Sequence, residues 1–132
     1  MTKGYLVYAQ GELHLKYAHV LAESLQDGLP ISLVTDKKFK TSTFDKLITV
    51  PANSDKFHVS NRSKLWKYSP YDETTVIESD CLVTCSMDNW WNKNKKTDLS
   101  FISQAYNYRQ QKSNTTYDRK TFVANDLPNL YV

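Results

Sequence analysis

The apolar positions of this chain fall into blocks of different spacing, and the spacing predicts the elements. Residues 4–9, Gly-Tyr-Leu-Val-Tyr-Ala, form an unbroken apolar run rich in β-formers, the pattern of a strand buried on both faces. Gln10, Gly11 and Glu12 then read as a tight turn. Over residues 12–25, Leu13, Tyr17, Val20, Leu21 and Ser24 follow the i, i+4, i+7, i+8, i+11 rhythm of an amphipathic helix, and Asp27-Gly28 stops it. After Pro30, residues 31–35 (Ile-Ser-Leu-Val-Thr) predict a second strand that ends at Asp36. Strand, helix, strand in that order predicts a right-handed βαβ unit with parallel strands.

Farther along, residues 44–47 predict a short helix, and residues 48–50 a third strand stopped by Pro51. A loop over 53–60 leads to a helix over 61–68, capped by Ser60 or Asn61, with Leu65 and Tyr68 inward and Pro70 as its stop. Residues 75–77 predict the central strand, preceded by the turn Pro70-Tyr71-Asp72 and followed by apolar Leu82-Val83. Next come a helical turn over 86–92 holding Met87, Trp90 and Trp91, a solvated loop over 92–97, and a strand over 99–102. Residues 106–117 are polar with little periodicity. The chain turns apolar again over 121–132 and ends on Leu-Tyr-Val, as expected of a strand whose remainder lies elsewhere, or of an edge open to self-association.

Composition narrows the class. A length of 132 residues fits one domain, and 40% apolar with 23% charged residues fits a soluble globular protein. No apolar run is long enough for a bilayer, and the run after Lys3 is too short for a signal peptide. The expected compartment is the cytoplasm, with no membrane partner. Seventeen basic against fourteen acidic residues give net +3, too mild for a dedicated nucleic-acid binder. Cys81 and Cys85, with His14, His19 and His58 scattered, lack the four-ligand grouping of structural zinc, so reduced, mostly buried thiols are expected. The histidines have no sequence-placed partner for a hydrolytic triad. Trp90 and Trp91 suit a core better than a sugar platform. The interleaved Tyr106, Tyr108, Arg109, Lys112, Tyr117, Arg119 and Lys120 suit either a single-strand nucleic-acid contact or a solvated loop.

The strongest candidate chemistry is Glu78-Ser79-Asp80, which follows the apolar strand directly. On an extended chain the two carboxylates share one side, spaced for one divalent cation or for a cation and a ribose hydroxyl. In open α/β sheets ligands bind outside the carboxyl ends of the strands.

Pro-Tyr-Asp-Glu-Thr at 70–74 and Val-Ile-Glu-Ser-Asp-Cys-Leu-Val at 76–83 resemble the segment of GT-A glycosyltransferase-like proteins in which a helix ends at Pro-Tyr and a strand delivers an Asp-x-Asp motif. Residues 4–12, the helix around Tyr17-Ala18 and the strand at 31–36 are similar to that family's nucleotide-binding half, and residues 124–131 to a segment of its tailed-bacteriophage members. The resemblance implies a Rossmann-like α/β fold, in a single, incomplete domain spanning 1–132. It implies glycosyl transfer from a nucleotide-sugar donor, with Glu78 and Asp80 holding a divalent metal, manganese or magnesium, on the donor's diphosphate. By the same resemblance Ala9, Gln10 and Asp36 line the base and ribose, and Lys64 steadies the phosphates. The residues alone leave Lys64 as readily a solvated lysine, and Asp36 a strand-end turn residue. Glu78 stands where the family has Asp, and the half that supplies the acceptor site has no counterpart here. Two rivals follow: a non-catalytic structural or interaction module on a truncated half-domain, and a nucleic-acid binder using residues 106–120.

Overall fold

The computed structural model describes residues 1–54, 59–95, 98 and 100. These fall in two units, one ending at Asp88 and the other beginning at Asn89. The first holds β1 (Lys3–Ala9), α1 (Gly11–Ser24), β2 (Ile31–Thr35), β3 (Lys46–Thr49), α2 (Val59–Arg62), α3 (Leu65–Tyr68) and β4 (Glu73–Glu78). A further helix, α4 (Asp88–Asn94), buries Trp91, and the Asn94 amide donates to the Trp90 carbonyl at 2.8 Å. The strands expected over 99–102 and at the C-terminus, the Tyr- and Arg-containing stretch 106–120, and His58 lie outside the described residues. Among the described residues no helix is long and apolar enough to cross a membrane.

All four strands are parallel, in the order β3-β2-β1-β4. The fold is α/β and Rossmann-like, as the alternation of elements predicts. The unbroken apolar runs have a direct explanation: β1 and β2 are internal strands covered on both faces, so Tyr5 to Ala9 and all of β2 are buried. On one face Leu6, Tyr8 and Val34 pack with Val50 and Leu65, flanked by Ile48 and Tyr68. The alternation of the strands turns Tyr5, Val7 and Leu33 to the other face, where α1 lies against β1 and β2.

Several local expectations are corrected. The helix α1 forms as predicted, and of its expected stripe Leu21 is buried, but the contact is completed by alanines instead of the other large side chains. Ala18, Leu21 and Ala22 are buried, while Leu13, Tyr17 and Val20 are exposed. Residues 44–47 form no helix, because Phe44 is buried and Asp45 is drawn beside β2: its N–H donates to the Ile31 carbonyl at 2.9 Å, and its carboxylate accepts from the Ile31 N–H at 2.8 Å. That starts β3 at Lys46. The helix expected over 61–68 is two short turns, α2 and α3, separated at Ser63-Lys64. Asn61 sits inside α2 and is no cap; its amide donates instead to the Pro51 carbonyl at 2.9 Å. Finally, β4 is the edge strand of the described sheet rather than its centre, with Val76 and Glu78 exposed and Thr75 buried.

At the N-terminal edge of the sheet, Gly4 lies under the Tyr71 ring. A Cβ there would stand 2.6 Å from Tyr71 Cζ and 2.7 Å from the Pro30 carbonyl oxygen. The Tyr71 hydroxyl is 2.7 Å from Ser32 Oγ. Burial pushes the Tyr71 phenol up, opposed by the bond to Ser32 and aided by the Asp45 carboxylate. Beside it Asp72 Oδ2 accepts from both the Thr2 N–H at 2.7 Å and the Thr2 hydroxyl at 3.0 Å, which holds its carboxyl below the usual range.

Candidate functional site at the carboxyl ends of the strands

The strand order decides where a ligand fits. From β1 the chain crosses through α1 to β2 and on to β3, then returns to place β4 on the opposite side of β1. The strand order reverses at the β1/β4 boundary, which makes this the topological switch point, where open α/β sheets hold their ligand crevice outside the carboxyl ends of the strands. One lip carries Ala9, Gln10 and Gly11. The other carries Glu78, Ser79 and Asp80, since Tyr8 is in register with Glu78.

The first lip is built by a left-handed glycine and a bonded amide. Gly11 takes φ +79, a conformation that a β-carbon disfavours, and lets α1 begin directly after the strand. The expected turn at 10–12 is thus the helix start itself. The Gly11 N–H donates to Asp36 Oδ1 at 3.0 Å, so the carboxylate at the end of β2 caps α1 from across the sheet. Gln10 is the N-cap by position, yet its side chain makes no capping bond. Its Oε1 accepts from the Tyr8 hydroxyl and the Asn53 N–H, both at 2.8 Å, and its Nε2 donates to the Asn53 carbonyl at 2.7 Å. Gln10 therefore anchors the 51–53 loop to β1 and shapes the crevice by that loop. Ala9 is buried, 1% exposed, and offers the crevice its backbone alone.

Gln10→Glu tests this anchor. The substitution keeps both accepting bonds and puts an oxygen where Nε2 faces the Asn53 carbonyl. It is expected to cost about 1–3 kcal/mol at neutral pH. That carbonyl raises the folded pKa of the introduced carboxyl above its unfolded value near 4.3. The deficit is therefore absent below about pH 4 and grows as pH rises through the folded pKa. Urea midpoints of variant and parent between pH 4.5 and 7.5 measure it, and a pH-independent difference would refute the anchor.

The second lip departs from an extended Glu-x-Asp. The strand stops at Glu78, and the Cys81 N–H donates to the Glu78 carbonyl at 3.1 Å, closing a turn that contains Ser79 and Asp80. Ser79 is buried, and its Oγ lies 3.1 Å from His14 Nδ1, tying the turn to the first turns of α1. Glu78 and Asp80 are both exposed, and Glu78 is ion-paired with Arg62 at the end of α2. Cys81 and Cys85 are free, as expected, but exposed rather than buried. Partial burial of the thiol, then the Asp80 and Glu78 carboxylates, push the Cys81 pKa up, so it is a thiol and not a thiolate at neutral pH.

Of the residues singled out from the sequence, the structure brings Ala9, Gln10 and Asp36 together at the ends of β1 and β2. It sets Glu78 and Asp80 across the switch point from them. Lys64 is exposed at the break between α2 and α3. On sequence, Arg62 and Asn53 have no assigned role, and His14 and Ser79 stand without a partner for either. No spacing rule joins Arg62 to Glu78 or His14 to Ser79, which depend on how α2 and α1 pack. No family model and no curated protein matches the chain.

The donor set defines what cation fits. Among the described residues no group of three His, Cys, Asp or Glu side chains is placed to hold a metal ion. Magnesium-like ions are often held by only one or two carboxylates, completed by substrate phosphates and water. Glu78 and Asp80, on one exposed turn, supply two carboxylates, the number such a site uses and too few for an ion held by protein alone.

Proposed function

We propose that this chain binds a nucleotide-sugar donor at the β1/β4 switch point, with a divalent ion between the diphosphate and the Glu78–Asp80 turn, and that it serves glycosyl transfer. The observation that carries the reading is the strand order, which sets an exposed acidic turn opposite the start of α1 at the ligand-binding position of an open parallel sheet. The ion would neutralise the charge that grows on the leaving nucleoside diphosphate. Glu78 and Asp80 would hold it. The 51–53 loop, pinned by Gln10, shapes the wall beside β1, and Asp36 fixes the start of α1. The bond between His14 and Ser79 holds the acidic turn against the helix.

Thermal shift with a panel of nucleoside diphosphates, with and without manganese, tests the reading. A diphosphate and manganese together are expected to stabilise the fold by about 2.7 kcal/mol at a hundredfold excess over Kd. Manganese alone is expected to bind weakly and give a much smaller shift, since it gains only two exposed carboxylates, one of them paired with Arg62. If no diphosphate stabilises the chain in a metal-dependent way, the reading fails. Turnover of the bound donor then separates transfer from binding alone.

A further inference from the structure

The side chain that meets Glu78 is a cation already present in the protein. Arg62 reaches it from the end of α2, and the two side chains are 30% and 51% exposed. Half of the two-carboxylate donor set is thus occupied by a guanidinium. A guanidinium is also the group best suited to a diphosphate, through paired N–H donors. Lys64, by contrast, is exposed at the α2/α3 break and has a single-point ammonium.

We infer that Arg62 acts as a stand-in cation, neutralising Glu78 in the free protein and passing to the diphosphate when a divalent ion takes its place. This rests on the diphosphate reading above. Its consequence is an order of binding. A free divalent ion must compete with Arg62 for Glu78 and gains only carboxylates. An ion arriving with a diphosphate gives Arg62 a new anionic partner, so no charge is left unpaired by the exchange. The guanidinium therefore selects the metal–diphosphate pair over the bare metal. The residue positions and discriminates; it takes no part in bond breaking.

Arg62→Ala is expected to move two affinities in opposite directions. Manganese uptake without phosphate, followed by the loss of the free-ion signal in electron paramagnetic resonance, should tighten about 2- to 5-fold, the range that release of an exposed ion pair supports. Manganese uptake in the presence of inorganic pyrophosphate should weaken about 10-fold, the scale of a lost charge-assisted hydrogen bond. Arg62→Lys keeps the charge without the fork and should fall between parent and Arg62→Ala in both assays. A loss of fold in either variant is separated by its melting curve. If Arg62→Ala leaves both affinities unchanged, or weakens both, the exchange is wrong. The diphosphate reading fails elsewhere, in the parent protein, if neither pyrophosphate nor any nucleoside diphosphate enhances manganese uptake there.

Discussion

Leu21→Ala is expected to cost about 2–5 kcal/mol of folding stability, whereas Leu13→Ala and Val20→Ala stay within about 0.5 kcal/mol of the parent. Leu21 is 0% exposed on the face of α1 that lies against β1 and β2, with Ala18 and Ala22 beside it. Removing its side chain leaves a cavity between helix and sheet, in a layer whose neighbours are strand side chains with little freedom to collapse into it. Leu13 and Val20 are 58% and 51% exposed, so truncation removes little buried area, and alanine is the better helix former. Urea unfolding of the three variants measures the contrast. Equal losses at Leu13 and Leu21 would mean that α1 packs through the stripe its large side chains suggest.

The second large effect is at Gly4. Gly4→Ala is expected to destabilise by about 1–3 kcal/mol, because an added methyl is forced into occupied space. The two obstacles differ in kind. The Tyr71 ring, 2.6 Å from the added carbon, can rotate or shift at the expense of its bond to Ser32. The Pro30 carbonyl, 2.7 Å away, is backbone and is held by the Tyr5 N–H at 2.9 Å. The same substitution should therefore cost less in a Tyr71→Ala background, yet still cost something. Thermal melts of the four proteins of that cycle give the coupling. A neutral Gly4→Ala in the parent would show that the strand edge is free to yield.

The α1 result shows where sequence reading failed. Period and length correctly gave a helix between two strands, because any amphipathic helix in a βαβ unit repeats near 3.6 residues. Leu21 was placed correctly, and the rest of the face went wrong because it was weighted by side-chain size. The sheet is met by Ala18 and Ala22 with Leu21, and small residues let a helix approach a sheet closely. Alanines carry little weight in an apolar pattern. The β1 and β2 runs were legible because strands covered on both faces have no polar phase to confuse them. The shorter β4 pattern Thr-Val-Ile looked equally central, and nothing local distinguishes an internal strand from one whose outer side has no partner in the described sheet.

The site was legible to a similar depth. The strand end followed by acids marked Glu78, the resemblance alone marked Gln10 and Asp36, and the parallel order collects all three at one end of the sheet. What each side chain does there was not legible. Gln10 spends its amide on Asn53, and Asp36 spends an oxygen on Gly11. Both partners are backbone groups, and every residue has those, so their identity leaves no trace in composition. Arg62 was missed for a related reason: the break at Ser63-Lys64 resets the helical phase, and a continuous helix over 61–68 gives no cue that Arg62 meets Glu78.

The order of the strands also bears on how the molecule assembles. Tyr5 must find Ile31 on one side and Thr75 on the other, and the second loop is more than twice as long as the first. By loop-closure entropy the longer search costs only about 0.9 kcal/mol more. The shorter closure favours β1–β2 pairing first, so β4 is expected to dock on a β1 already flanked by β2. The acidic turn is carried in by that last docking. The crevice is expected to be the final part of the sheet to close, and any delay in pairing across seventy residues delays the appearance of a binding-competent chain.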